Sequence, residues 1–400
     1  MARKDSSRNT TAALAAKRFG STAMRTIAVT GTSGKTTTAW LTAAVLAEAG
    51  LRVGVISDFG YLGPDDRLPF LGNPRRPEAV AAGLARLQAS DCTHAVVECS
   101  GRMLAAPALS GIRFDTVVVT NLDADRPRSR AAAGRAAEMA RRSAAAVAAD
   151  GCLISGASPA AVAPLRRLLP DTAACLRAGL DAAADVTASS VDRSLFGRTV
   201  LATWGGQTMP LALDTPVVPF VRDSLLAIAV GGRYRIPLTT AVRAVESAGA
   251  VPGRMERLDR GQETPVFIDT PTSGHALAAT LASLRRLTRG RLALIAEEPA
   301  ITRLGGCFGP LVARHCDACL VTPATVLDDD AGNAELSAYA RIDRLLESLG
   351  PDDCLLALGG MPGGGRGPRP PAGRFPLAML VDGWLQLANE PVASLGRRAA

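Results

Sequence analysis

The sequence predicts an α/β protein in which a larger unit, built on a mostly parallel sheet, precedes a second and smaller α/β unit. Short apolar runs alternate with helical stretches in the first half, which is typical of β-α-β units. The segment 251–254 (VPGR) breaks the helical pattern, and a new strand pattern starts after it. The chain has 400 residues, of which 48% are hydrophobic and 20% are charged, so it can bury two cores and wholesale disorder is excluded.

In the first half, apolar runs and helical stretches follow one another in turn. The predicted strands are 26–30, 52–57, 94–98, 116–120 and 152–154, and the predicted helices are 36–49, 78–88 and 131–149. The pattern then becomes shorter and strand-like over 183–215, which indicates a small β insertion. Two further helices are predicted at 223–231 and 239–248, and the first is apolar enough to be buried.

The second half repeats the α/β pattern on a smaller scale. Its predicted core strands are 265–269, 292–296, 318–322 and 354–358. Chain ends are commonly loose unless they are tied down, so we expect a leader and a tail outside the two domains. The predicted organisation is a flexible leader (1–25), a central domain (26–252), a C-terminal domain (253–388) and a tail (389–400).

Charge and composition exclude several classes of protein. The formal net charge is +8, but only three of the 45 basic residues are lysines and the arginines are scattered along the chain. Aromatic residues make up 4% of the chain, too few for base-stacking platforms, so no nucleic-acid partner is expected. No uninterrupted apolar run reaches the roughly 18 residues that a membrane-spanning helix needs, so no membrane span is expected. Dispersed cysteines and the lack of a secretory signal favour a cytoplasmic location.

The most informative stretch is 30–37 (TGTSGKTT), which lies between the first predicted strand and the first predicted helix. Glycines permit a tight turn there, and backbone N–H groups at a helix N-terminus bind phosphate oxygens. A lysine can neutralise the β- and γ-phosphates of a nucleotide, and a following threonine hydroxyl can hold Mg²⁺. The alternative is a structural glycine turn, because the full Walker pattern is missed at Val29. The placement favours a nucleotide site formed by Gly31, Thr32, Ser33, Gly34, Lys35, Thr36 and Thr37.

Two cysteines near the end of the chain, Cys316 and Cys319, have the C-x-x-C spacing of many zinc sites. A structural zinc site needs four ligands, and a single pair of this kind is a weak signal. The same stretch has the pattern of a helix end that enters a buried strand. Core cysteines are therefore favoured over metal ligands at these two positions.

Five segments occur in the order found in the Mur ligases, the ATP-dependent enzymes that join amino acids during peptidoglycan synthesis. The stretch 26–57 resembles the start of the ATPase domain of that family. The other four similar segments are 98–104 (ECSGRML), 114–122 (FDTVVVTNL), 251–256 (VPGRME) and 266–269 (VFID). The resemblance covers roughly residues 25–360, and the most similar members are those that add diaminopimelate or lysine.

The resemblance implies a P-loop-containing, mostly parallel sheet in the central domain and a smaller Rossmann-like C-terminal domain. It also implies ATP and Mg²⁺ as ligands of an enzyme that phosphorylates a carboxylate and lets an amine attack the acyl phosphate. By position, Thr36 and Glu98 match ligands of Mg²⁺. Asp223, Arg254 and Asp269 match residues around the nucleotide, with Asp223 in place of an asparagine near the adenine.

Other positions depart from the family pattern where a second Mg²⁺ would bind. In the family element T-N-L-x-x-D-H-x-D, the histidine position is Arg126, and the position of the carbamylated lysine falls at Ala140. The chain has no lysine after Lys35. Asp125 and Arg126 are the remaining candidates for catalytic residues. The family's N-terminal UDP-binding domain is not expected, because the phosphate loop begins at residue 31.

Three functions remain open. The first is an ATP-dependent carboxylate–amine ligase related to peptidoglycan precursor synthesis, with ATP and a small carboxylate or amine as ligands. The second is a catalytically degenerate, ATP-binding pseudo-ligase that acts as a partner or regulator of cell-wall synthesis proteins. The third is a simple ATPase or phosphotransferase. The family resemblance favours the first function, and the lost residues favour the second.

Overall fold

The structure is a computed structural model that divides into two compact units. It describes residues 24–65, 73–104, 106, 109, 112–122, 130–322, 332–359, 377, 381 and 385. Among these, the first unit comprises the residues up to 191 together with 199–212 and 219–249, and the second comprises 192–198, 213–218 and the residues from 250 onwards. Both units are α/β, as the sequence predicts.

A large sheet forms the centre of the first unit. Its strands are β1 (Arg25–Thr30), β2 (Val53–Ser57), β3 (Gly60–Leu62), β4 (His94–Glu98), β5 (Phe114–Val119), β6 (Val147–Ser155), β7 (Ala174–Gly179), β8 (Val186–Arg193), β9 (Arg198–Trp204) and β10 (Gln207–Leu213). Their order is β10-β9-β8-β7-β6-β5-β1-β4-β2-β3. In this order, each neighbouring pair among β7, β6, β5, β1, β4 and β2 is parallel. The edge strand β3 is antiparallel to β2. The carboxyl ends of β1, β2, β4 and β5 therefore lie at one edge of the sheet.

Helices pack against this sheet and complete the core. They are α1 (Lys35–Glu48), α2 (Pro77–Ala89), α3 (Gly101–Leu104), α4 (Arg130–Ala145), α5 (Pro159–Arg166), α6 (Val218–Arg233) and α7 (Leu238–Ser247). Ile27, Ala28 and Val29 of β1 have no exposed surface, as expected of a central parallel strand covered on both faces. Residues 223–231 of α6 are buried throughout, which confirms the buried helix predicted there.

The predicted strands 26–30, 52–57 and 94–98 are confirmed to within one residue. The helix predicted over 131–149 is wrong at its end, because it stops at Ala145 and a strand begins at Val147. Val147 is β-branched and pairs in register with Phe114, so sheet pairing ends the alanine-rich helix early. The segment 183–215 is strand-rich as predicted, but it extends the large sheet instead of forming a separate insertion.

The second unit contains a smaller sheet. Its strands are β11 (Glu256–Leu258), β12 (Val266–Asp269), β13 (Leu292–Glu297), β14 (Ala318–Thr322) and β15 (Cys354–Leu358), in the order β11-β12-β15-β13-β14. Its helices among the described residues are α8 (Gly274–Leu287), α9 (Glu298–Leu304), α10 (Phe308–His315) and α11 (Gly332–Glu347). The last four strands are parallel, and β13 and β15 are buried along their whole length. The four predicted core strands are all present.

The prediction of core cysteines at the C-x-x-C pair is wrong. β14 is the edge strand of the smaller sheet, and its side chains alternate between an exposed face and a buried face, with Val321 42% exposed. Cys319 is likewise exposed, and Cys316 is half-buried at the end of α10.

Over the described residues, no cluster of three or more His, Cys, Asp or Glu side chains is arranged to hold a metal ion. Nor does any described helix have the length and apolar character needed to cross a membrane.

Candidate functional site

The turn between β1 and α1 is shaped by two glycines. Gly31 has φ 139°, and Gly34, at the start of α1, has φ 79°, so both adopt conformations that favour glycine. A Cβ atom on Gly31 would lie 2.1 Å from Oγ1 of Thr120, and one on Gly34 would lie 2.4 Å from Oδ1 of Asp223. The backbone can follow this tight path only without side chains at these two positions. The first-turn N–H groups of α1 have no acceptor within the helix, which is the property that makes a helix N-terminus bind phosphate.

Asn121 holds the turn from the side of β5. Its Oδ1 accepts hydrogen bonds from the backbone N–H groups of Thr32 (3.1 Å) and Ser33 (3.2 Å). Its Nδ2 donates to the carbonyl oxygen and the hydroxyl of Ser33, at 3.1 Å and 2.9 Å. The hydroxyl of Thr120 donates a further 2.5 Å hydrogen bond to the Ser33 carbonyl. The predicted ligands Thr32 and Ser33 are therefore held by their backbone through Asn121, a residue that the sequence analysis did not single out.

The three predicted ligands after Gly34 lie in the first turn of α1. Nζ of Lys35 donates to the carbonyl oxygen of Gly31 at 3.2 Å, so the ammonium group lies over the turn. Thr36 and Thr37 are both buried. The site thus combines a positive side chain, a helix N-terminus and a compact glycine turn, the three features that bind a polyphosphate.

A hydroxyl and a carboxylate meet beside this turn. Oγ1 of Thr36 donates to Oε2 of Glu98 at 2.9 Å, and the backbone N–H of Asp58 donates to the same oxygen at 3.3 Å. Glu98 is only 9% exposed, because it ends β4 in the middle of the sheet. Mg²⁺ prefers hard oxygen ligands of these two kinds, and it is usually held by one or two carboxylates and by substrate phosphates. The pair formed by Thr36 and Glu98 therefore fits Mg²⁺.

Asp223 lies directly against the glycine turn. α6 places its Oδ1 where it accepts a 3.2 Å hydrogen bond from the hydroxyl of Thr38. Burial raises the pKa of Asp223 to about 8, against the opposing effects of the Thr38 hydrogen bond and of the charge on Arg222. At neutral pH the carboxyl group is therefore mostly protonated, and in that form it has the shape and polarity of an asparagine amide. In this structure Asp223 therefore lies against the glycine turn at Gly34 and is hydrogen-bonded to Thr38 of α1.

Arg254 and Asp269 belong to the second unit, where both contact the backbone of Thr270. A guanidinium N–H of Arg254 donates to the carbonyl oxygen of Thr270. Oδ1 of Asp269 accepts from the backbone N–H of Thr270 at 2.9 Å, and Oδ2 accepts from the hydroxyl of Thr280 at 3.2 Å. Burial raises the pKa of Asp269, and the positive charge of Arg254 acts in the opposite direction. The two residues form one ordered cluster at the carboxyl end of β12.

The two candidate catalytic residues, Asp125 and Arg126, lie outside the described residues. Ala140, at the position of the family lysine, lies on α4 and is only 7% exposed because it packs in the core of the first unit. A methyl side chain at that buried position supplies no metal ligand.

Comparison with known proteins agrees with this geometry. Residues 29–126 match the family model of the Mur ligase middle domain, a span that includes the glycine turn, Thr36, Glu98 and Asn121. The chain belongs to the Mur ligase family, because a curated relative in that family is 31% identical over 79% of this chain. Its resemblance to the family in sequence is thereby confirmed.

Two curated relatives are UDP-N-acetylmuramoyl-L-alanyl-D-glutamate--2,6-diaminopimelate ligases. The protein of Corynebacterium glutamicum is 29% identical over 327 residues, which are 79% of this chain and 60% of the relative. That of Corynebacterium efficiens is 31% identical over 330 residues, or 79% of this chain and 59% of the relative. This Mur ligase family chain thus spans about three fifths of the length of these relatives.

A solved structure shows the same fold. The MurF ligase of Thermotoga maritima, determined in complex with ADP, superposes with a TM-score of 0.64 at 15% identity. The match covers 88% of this chain and 80% of the other. At this identity the likeness concerns the fold, and it agrees with the predicted α/β class and its mostly parallel sheet.

Proposed function

We propose that this Mur ligase family member binds ATP at the glycine turn and uses it to join a carboxylate to an amine. The observation that carries the proposal is the buried hydrogen bond between Thr36 and Glu98, directly beside a glycine turn that bears Lys35. A carboxylate that is 9% exposed and faces a hydroxyl at a phosphate loop is suited to a cation that accompanies ATP. In its family context, that arrangement supports phosphoryl transfer.

The proposed reaction has two steps. A carboxylate oxygen attacks the γ-phosphorus of ATP, the bond to the β,γ-bridging oxygen breaks, and an acyl phosphate and ADP form. An amine then attacks the acyl carbon, an amide bond forms, and inorganic phosphate leaves as the amine loses a proton. When bound, Mg²⁺ would supply neutralisation of the phosphate charge. Lys35 and the N-terminus of α1 bind the phosphates, and Thr36 with Glu98 would hold the cation.

The names of the curated relatives suggest the chemical class of the other substrates. Those relatives join diaminopimelate to a muramoyl peptide, so we propose a peptidoglycan-precursor carboxylate and an amino acid as the pair used here. ATP as a substrate makes the cytoplasm the proposed location. Arg254 and Asp269 are proposed to contact the nucleotide, and Asp223 is proposed to support the phosphate turn.

Phosphate release tests the proposal. The protein is incubated with Mg·ATP, with and without a muramoyl peptide and a mixture of amino acids, beside the variants Lys35→Ala and Arg86→Ala. Arg86 is exposed on α2, so its variant controls for the loss of one positive charge. We expect release that needs both the carboxylate and the amine, that Lys35→Ala abolishes and that Arg86→Ala leaves intact.

The other outcomes have distinct meanings. Release without an amine would favour an ATPase or a phosphotransferase. ATP binding without release in any mixture would favour a nucleotide-binding partner in cell-wall synthesis, and either result would overturn the ligase proposal.

A further inference from the structure

An ion pair lies beside Glu98. Asp58 follows β2, at the same sheet edge as Glu98, and Arg75 precedes α2. Nε of Arg75 donates to Oδ1 of Asp58 at 2.8 Å, and Nη2 donates to Oδ2 at 2.9 Å, so the pair is bidentate. The backbone N–H of Arg75 also donates to Oδ1 of Asn73 at 2.9 Å. Both ends of the arginine are thereby held in one orientation.

The ion pair of Arg75 and Asp58 is linked to the glycine turn through Glu98 and Thr36. The backbone N–H of Asp58 and the hydroxyl of Thr36 donate to the same carboxylate oxygen, Oε2 of Glu98, at 3.3 Å and 2.9 Å. The hydrogen bond with Asp58 raises the pKa of Arg75 most, and the negative charge of Glu98 raises it further. The guanidinium group of Arg75 thus interacts electrostatically with the carboxylate of Glu98.

The loop that carries Asp58 is fixed against the first helix. The ring of Phe59 meets the ring of Trp40, on α1, edge to face, with centroids 5.6 Å apart and planes at 74°. The backbone N–H of Phe59 also donates to the hydroxyl of Ser57 at 3.2 Å. Because α1 begins at the phosphate turn, these contacts hold Asp58, and through it Arg75, at a set place relative to bound phosphates.

The guanidinium group of Arg75 keeps one nitrogen for a ligand. Asp58 takes Nε and Nη2, and among the residues that the structure describes none accepts a hydrogen bond from Nη1. The side chain of Arg75 is 56% exposed, so an anion can reach it. Arginine binds phosphate oxygens through N–H groups that stay charged at every physiological pH.

The order of groups along this edge indicates which phosphate Arg75 meets. In a phosphate loop the threonine after the lysine holds the cation that bridges the β- and γ-phosphates. Thr36 has that position, its hydroxyl contacts Glu98, and the contacts continue from Glu98 through Asp58 to Arg75. Because the γ-phosphate would share the cation held by Thr36 and Glu98, it is the phosphate that this chain of contacts associates with Arg75.

We propose that Arg75 is a ligand of the γ-phosphate of ATP. Asp58 holds Arg75 in place, and Nη1 of Arg75 binds the γ-phosphate and stabilises the phosphoryl group during its transfer. The inference rests on the proposed function, because it assigns a role in the same nucleotide site. It also supplies a fixed positive charge to a site whose family lysine position is the buried Ala140. Arg75 thereby distinguishes ATP from ADP.

Calorimetric titration with Mg·ATP and Mg·ADP tests this role. Arg75→Ala is compared with wild type and with Arg76→Ala, a matched control at the neighbouring exposed arginine. We expect Arg75→Ala to weaken Mg·ATP binding about tenfold or more and to change Mg·ADP binding less than about twofold, since only ATP has the γ-phosphate. Arg76→Ala should change neither affinity.

Two results would overturn the inference. Equal loss of both affinities in Arg75→Ala would make Arg75 a structural residue, and unchanged affinities would remove it from the site, while both results leave ATP binding in place. Failure of the wild type to bind either nucleotide would instead overturn the proposed function itself. If Arg75→Ala unfolds below the assay temperature, Arg75→Gln removes the charge but keeps hydrogen-bonding capacity towards Asp58, and the same selective loss is expected.

Discussion

The hydroxyl of Thr36 and the carboxylate of Glu98 are joined by a 2.9 Å hydrogen bond, although 62 residues separate them in the chain. Thr36 lies in the first turn of α1, and Glu98 is the last residue of β4. The two meet because β1 and β4 are parallel neighbours whose carboxyl ends share one sheet edge. A buried negative charge is thus held next to the glycine turn, where it attracts a cation.

Glu98→Gln is expected to make nucleotide binding less dependent on Mg²⁺. The amide keeps the size of the carboxylate but removes the charge that would hold the cation, so the enhancement of ATP affinity by Mg²⁺ should fall about tenfold. The protein is titrated with ATP once in the presence of Mg²⁺ and once in the presence of EDTA, and the ratio of the two affinities measures the enhancement. Glu78→Gln, at an exposed position in the first turn of α2, is the control and should retain the wild-type ratio. An unchanged ratio in Glu98→Gln would remove Glu98 from the cation site.

Gly34→Ala is expected to disrupt the turn, and Gly50→Ala provides a matched comparison. Both glycines have nearly the same φ, 79° and 80°. A Cβ on Gly34 would lie 2.4 Å from Asp223, whereas one on Gly50 would meet nothing within 4 Å. Gly50→Ala should therefore cost only the backbone strain of about 1–2 kcal/mol. Gly34→Ala should cost more and should also lose nucleotide affinity. Equal midpoints of urea unfolding for the two variants would contradict this.

Asn121→Ala is expected to loosen the phosphate turn. The variant leaves the backbone N–H groups of Thr32 and Ser33 without their shared acceptor, a loss of about 1–3 kcal/mol in the free energy of unfolding. Urea unfolding measures that loss, and nucleotide titration should show weaker binding. Asn73→Ala, which also removes a side-chain acceptor of a backbone N–H but lies outside the turn, should leave the affinity for Mg·ADP unchanged. Undiminished stability and affinity in Asn121→Ala would show that the turn keeps its shape without the amide.

Asp223 should make the stability of the protein depend on pH. Its pKa rises from 3.8 to about 8 on folding, so between these values the native state binds more protons than the unfolded chain. The free energy of unfolding therefore falls as the pH increases from about 4 to 8, with a limiting slope of about 1.4 kcal/mol per pH unit. Asp223→Asn should remove this contribution and be more stable than wild type at pH 8. Asp171→Asn, at an exposed carboxylate, is the control. Parallel stability curves for wild type and Asp223→Asn would contradict the assignment.

Sequence patterns located the features that depend on neighbouring residues. The turn at 31–34 and the strand that ends at Glu98 follow from local composition, and both are where the sequence places them. The contacts of Asn121 with Ser33 and of Asp223 with Gly34 depend on strand order and helix packing, which periodicity does not encode. A polar residue directly after the strand beside β1 was the available signal for Asn121.

The remaining differences have equally specific causes. The sequence did not indicate Arg75 as a site residue, because its proposed role depends on a bidentate contact with Asp58 in a separate loop. Cys319 was expected in the core because its strand is apolar, yet the order of strands makes β14 an edge. An edge position is set by the topology of the whole sheet, and the sequence of a single strand does not reveal it.

The proposed function requires that the glycine turn binds ATP, and calorimetric titration with Mg·ATP measures that binding. Wild type, Lys35→Ala and the charge control Arg86→Ala are titrated under the same conditions. We predict saturable binding at one site for wild type and Arg86→Ala, and an affinity at least about tenfold weaker for Lys35→Ala, because the ammonium group is lost from the phosphate turn. No binding by the wild type, or equal affinity in Lys35→Ala, would overturn the assignment of an ATP site to the glycine turn.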